Sequence, residues 1–163
     1  GVITPSVDQL RSEHGFPGMH ILQFAWNETG ASGSTHLPHN HRPDSVVYTG
    51  SHDNNTSSGW WQLAHESVKH HLRQYLASDG FDISWVMIRT ACASVADMAI
   101  YPMQDVLRLG EQHRMNLPGS AEGNWVWRFD WSQVNSEHAS QLRRLCEIYG
   151  RTVKPGAIPV TVR

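Results

Sequence analysis

Three short apolar runs, set apart by longer stretches, constrain this chain more than any other feature. They are "MHILQFAW" over 19–26, "VVYTG" over 46–50 and "DMAIYPMQD" over 97–105. Short runs bounded by turn residues predict buried strands rather than helices, placed here at 19–25, 46–50 and 97–101. Helical patterns occupy much of the rest. Thr4-Pro5 starts a helix that Gly15 and Pro17 stop. The stretch from Ser57 to Ala77 predicts two helical pieces, and Asp82 stands near the start of another over 82–94. A short helical turn follows Pro102. A last helix runs from Ser136 to Tyr149, and Gly150 ends it. Buried strands alternating with helices predict a parallel α/β architecture. Chemistry in such folds gathers in the loops at the carboxyl ends of strands.

The strand over 46–50 runs directly into Ser51, His52, Asp53 and Asn54. This cluster has two readings. Asp and Asn favour turns because their side chains bond nearby backbone amides, and Asp53 is a possible cap for a helix starting near Thr56. Alternatively, a strand end is presenting polar groups to a ligand. Polar loops over 27–44 and 111–124 are of the length that is usually functional or disordered.

Other classes are disfavoured. With 13 Lys and Arg against 15 Asp and Glu, there is no electrostatic reason to expect nucleic acid or an anionic membrane as a partner. No apolar run approaches the ~20 residues that cross a bilayer. The first residues lack a signal peptide's basic start and apolar centre. Cys92 and Cys146 lack CxxC spacing and read as reduced thiols of a cytosolic protein. His36, His39 and His41 form an HxxHxH pattern, and His65, His70 and His71 follow. Neither set has a zinc helix's i, i+4 spacing or an obvious fourth ligand, which argues against a metal. The 7 Trp offer flat faces suited to sugar rings, or simply core packing. No nucleophile elbow or phosphate loop is present.

"GFPGMHILQFAW", "HRPDSVVYTGSHDNNTSSGWW", "YPMQDVLRLG" and "MNLPGSAEGNWVWR" occur in this order. Together they resemble the carboxyl-terminal part of the 4-alpha-glucanotransferases, the amylomaltase or disproportionating-enzyme family, from about Gly1 to Arg151. The resemblance implies the last three strands and helices of a (β/α)8 barrel over 1–151, with 152–163 as a peripheral tail. It implies transfer of α-1,4-glucan segments from a maltooligosaccharide donor to the 4-hydroxyl of an acceptor sugar, with retention and without a metal or organic cofactor. The family's T-H-D-N motif reads Ser51-His52-Asp53-Asn54 here. By that match Asp53 is the carboxylate that stabilises the transition state, and His52 and Asn54 bind the same sugar. The family's nucleophile and acid/base carboxylates would fall before Gly1, so the chain is expected to be a fragment without activity of its own. The alternative is a non-catalytic glucan-binding or interaction module built on Trp60, Trp61 or the segment Trp125 to Trp131. The loop over 27–44 is expected to be mobile and near the sugar site, with His36, His39 and His41 not jointly binding a metal. The location implied is cytoplasmic, or plastidic in a plant.

Overall fold

A computed structural model describes residues 4–27, 30 and 32–152. The expected tail over 152–163 lies, apart from Thr152, outside the described residues. Three strands, β1 (Gly18–Ile21), β2 (Ser45–Tyr48) and β3 (Met98–Ile100), form one parallel sheet in the order β1-β2-β3. Gly18 pairs with Ser45, and Val46 pairs with Met98. The helices are α1 (Pro5–Glu13), α2 (Ser57–Leu63), α3 (Glu66–Leu76), α4 (Ile83–Ala93), α5 (Met103–Val106) and α6 (Ser136–Ile148). The α/β class and all three strands are as expected. The first strand is shorter than 19–25. Leu22–Phe24 wind into a 3-10 turn that buries Leu22 and Ala25 and turns Gln23 towards the end of β2. An eight-residue apolar run carries no periodicity that would reveal this turn.

The pleat divides the sheet into two faces. His20, Val47 and Ala99 share the face covered by helices. Val47 joins Leu22, Leu72 and Met87 in one buried cluster, with Ala99 packed against it. Met19, Ile21, Tyr48 and Ile100 share the other face, which borders an open cleft. Helix α4 is apolar nearly all round because it feeds two cores. Ile83, Met87 and Ala91 enter the first cluster, while Trp85, Ile88 and Cys92 enter a second with Val106 and Leu145. Its carboxyl end is closed by Arg151, which donates to the carbonyls of Cys92 and Ser94, both at 2.7 Å. Both cysteines are free thiols, and burial raises the pKa of Cys92.

Several histidines serve the fold. His36 Nδ1 accepts from Ile21 N at 3.1 Å. His41 Nε2 donates to the His36 carbonyl at 2.9 Å, and its Nδ1 lies 2.7 Å from Ser94 Oγ. His20 stacks on His41 with ring centroids 4.2 Å apart. His39 bonds Tyr75, and His65 caps α3. Among the described residues no three His, Cys, Asp or Glu side chains assemble as a metal site.

Burial is the largest cause lowering the pKa values of His20, His36 and His41, and they also repel one another; Asp44 opposes this at His20. Between those lowered values and the unfolded value near 6.5, the unfolded chain binds more protons. This stability is therefore present above pH 6.5 and lost as pH falls below it. Thermal melts at pH 7.5 and 5.5 should show the lower midpoint at 5.5. Replacing His20 with Leu should shrink the difference; an equal midpoint for the unsubstituted protein at both pH values would contradict this account.

Candidate active site

The cleft on the open sheet face has a volume of about 1020 Å³ and reaches the carboxyl ends of the strands. Beyond β2, Thr49 and Gly50 lead into a turn in which Asn54 N donates to the Ser51 carbonyl at 3.1 Å. Asn54 Oδ1 accepts from Ser51 N at 2.9 Å and from Ser51 Oγ at 2.8 Å, so the side chains at both ends lock the turn. Gln23 Nε2 donates to the Asn55 carbonyl at 2.8 Å. A Cβ at Gly50 would stand 2.6 Å from that nitrogen. A side chain at this position would therefore have to displace the Gln23 amide that ties the exits of β1 and β2 together.

The turn presents His52 and Asp53 to the cleft, both about half exposed. Asp53 Oδ1 accepts from Asn116 Nδ2 at 2.6 Å and lies 3.2 Å from His52 Nε2. The Asp53 carbonyl accepts from Arg114 Nη2 at 2.9 Å. The Trp125 ring lies 5.0 Å from the His52 ring. Trp125 holds a left-handed backbone, φ 63°, while its N–H donates to the Met115 carbonyl at 2.8 Å. Such a conformation in a bulky residue persists only where its surroundings enforce it.

The turn reading of the motif is therefore right, but the cap is not Asp53. Thr56 is the N-cap of α2, its Oγ1 accepting from Gly59 N at 3.1 Å. Thr56 stands directly before the first helical residue, which leaves the Asp53 carboxylate to the cleft. No described residue of the loop over 27–44 lines the cleft itself, though His36 reaches two that do, Ile21 and Phe24. Leu37 is buried in the first core cluster, and Asn40 Nδ2 donates to the Ser32 and Ser34 carbonyls. Arg114, Met115 and Pro118, from the second polar loop, line the cleft instead. Trp60 and Trp61 are partly buried and pack against the first core.

Sequence reasoning missed Gln23, Asn116 and the role of Asp105. Asp105 is fully buried behind the turn. Its Oδ2 accepts from Thr49 Oγ1 at 2.6 Å and Ser57 Oγ at 2.8 Å, and its Oδ1 accepts from Ser57 N at 2.8 Å. Burial pushes its pKa up, and the three donors oppose that shift. The available signal was a carboxylate in the short segment after the third strand, beside Met103, Val106 and Leu107.

A parallel α/β protein whose strand-end segments converge on a carboxylate in an open cleft has the layout of an enzyme of that class. The chain belongs to the 4-alpha-glucanotransferase family, whose model matches residues 1–134. It is 45% identical over 157 residues to the 4-alpha-glucanotransferase of Synechocystis sp., covering 94% of this chain and 30% of that protein. Against the chloroplastic/amyloplastic 4-alpha-glucanotransferase of Arabidopsis thaliana it is 46% identical over 158 residues, covering 93% and 27%. Among solved structures it matches amylomaltase from Streptococcus agalactiae in complex with acarbose. The TM-score is 0.87 at 30% identity, over 92% of this chain and 30% of that one. The chain thus spans less than a third of the length of these relatives.

Proposed function

We propose that this chain is the carboxyl-terminal part, over 1–151, of the catalytic barrel of a retaining 4-alpha-glucanotransferase. It would act on α-1,4-glucan donors and acceptor sugars in the cytoplasm or a plastid. The observation that carries the reading is Asp53, a half-exposed carboxylate oriented by Asn116 at the end of a parallel strand in a chain of this family. The open sheet face supports the barrel: Met19, Met98 and Ile100 are exposed there, as apolar groups covered by further strands would be. Asp53 stabilises the charge that develops on a flattened sugar ring, through hydroxyl hydrogen bonds that strengthen in the transition state. His52 binds an adjacent hydroxyl. Asn54 contacts the sugar from the lining of the cleft while its Oδ1 holds Ser51. Trp125 supplies an apolar wall for a ring face.

Glucose release from maltotriose tests the reading. The full-length protein should disproportionate maltotriose, whereas residues 1–163 alone should neither transfer nor hydrolyse it. Asp53 only stabilises charge that a nucleophile and an acid/base create. Clear turnover by the 163-residue chain, freed of host enzymes, would overturn this division of labour. Trp125→Ala in the full-length protein should raise KM for maltotriose about fivefold, from loss of an aromatic contact worth ~1 kcal/mol. An unchanged KM would remove Trp125 from the site.

A further inference from the structure

One buried carboxylate grips both ends of the turn that carries Asp53. Thr49 and Ser57 bracket residues 50–56, and both donate to Asp105. Asp105 belongs to the short helix α5, just after β3. The next residue back, Gln104, donates to the His113 carbonyl at 3.1 Å. His113 adjoins Arg114, which bonds the Asp53 carbonyl, and Asn116, two residues further on, bonds the Asp53 carboxylate. One helix turn therefore fixes the Asp53 loop from behind and also anchors the segment that contacts Asp53 in the cleft.

We propose that Asp105 is a positioning residue for Asp53, holding the active-site turn in register through Thr49 and Ser57. This rests on the sugar-transfer reading above. A carboxylate suits the task because it only accepts hydrogen bonds and has lone pairs for all three donors. Leaving those buried donors unpaired would let the turn relax. A displacement near 1 Å at a reacting group costs on the order of a hundredfold in rate. A plain structural staple would lower the melting temperature without altering turnover by the protein that remains folded.

The experiment uses the full-length protein and maltotriose, assayed well below the melting temperature, with the folded fraction measured by circular dichroism. Asp105→Ala should lower kcat by about thirtyfold or more and change KM by less than about threefold. Asp105→Asn, which retains an acceptor for Ser57 N, should recover part of the rate. Combining Asp105→Ala with Asp53→Asn should cost little beyond Asp53→Asn alone, because the first change acts through the second residue. If Asp105→Ala does not fold, the Thr49→Val/Ser57→Ala double variant decides, with an expected drop in kcat of about tenfold. Folded variants with kcat within twofold of the unsubstituted protein, or losses that multiply fully with Asp53→Asn, would overturn the proposal. An unsubstituted full-length protein that releases no glucose would instead sink the sugar-transfer reading itself, and with it this role.

Discussion

Asp53→Asn in the full-length protein should lower kcat about a thousandfold, a loss of ~4 kcal/mol of transition-state stabilisation, while the fold stays intact. The fold should survive because nothing in the turn's own framework runs through this carboxylate. Ser51 is tied to Asn54, Gln23 to Asn55, and Thr49 and Ser57 to Asp105. The carboxylate's contacts are Asn116 and His52, and an Asn side chain still offers an oxygen to Asn116. What the amide lacks is the negative charge facing the developing positive charge of the sugar. KM should therefore move far less than kcat. Initial rates of glucose release, with melting curves alongside, measure both. Near-normal turnover in a folded variant would remove Asp53 from the chemistry.

The largest stability effect from a single added methyl is expected at Gly80. Its backbone is left-handed, φ 78°, and a Cβ there would stand 2.4 Å from Trp61 Cζ2 and 3.0 Å from Cε2. The ring has little room to yield, since Arg73 and Lys69 lie over it at 5.3 and 5.8 Å and it packs on the first core. Gly80→Ala therefore combines an unfavourable backbone with overpacking, together ~3 kcal/mol. Urea unfolding followed by tryptophan fluorescence should show a lower midpoint with an unchanged slope. In a Trp61→Ala background the same substitution should cost ~1 kcal/mol, because only the backbone strain remains. Equal losses in both backgrounds would show that the ring is not the obstacle.

What the sequence made legible was local. The runs around Ile21, Val47 and Ala99 marked the strands because short, mainly apolar runs bounded by turn residues favour a strand over a helix. The polar cluster after Tyr48 was legible as a turn, since Asp and Asn at a strand end favour one; its reading as a candidate site came from the resemblance. The partners of these residues left no local trace. Asp105 meets Thr49 across 56 positions, and Asn116 meets Asp53 across 63. Neither spacing corresponds to a helix or strand period. The capping error arose between two residues three positions apart, Asp53 and Thr56, both of types that cap well; only the geometry of the turn separates them. The histidine spacing argued against a metal, but nothing in it reveals that His36 and His41 spend their ring nitrogens on Ile21 N, Ser94 and the His36 carbonyl.

The ladder that pairs Ile21 with Tyr48 and Tyr48 with Ile100 acts as a ruler. Gln23 lies two residues beyond the first of these positions, Gly50 two beyond the second, and Asp105 five beyond the third. A slip of two residues between neighbouring strands would carry one exit about 6.6 Å past the next, further than any hydrogen bond in the site can stretch. The main chain thus stores the spacing of the candidate site. An insertion or deletion within any one strand would break the alignment for all three.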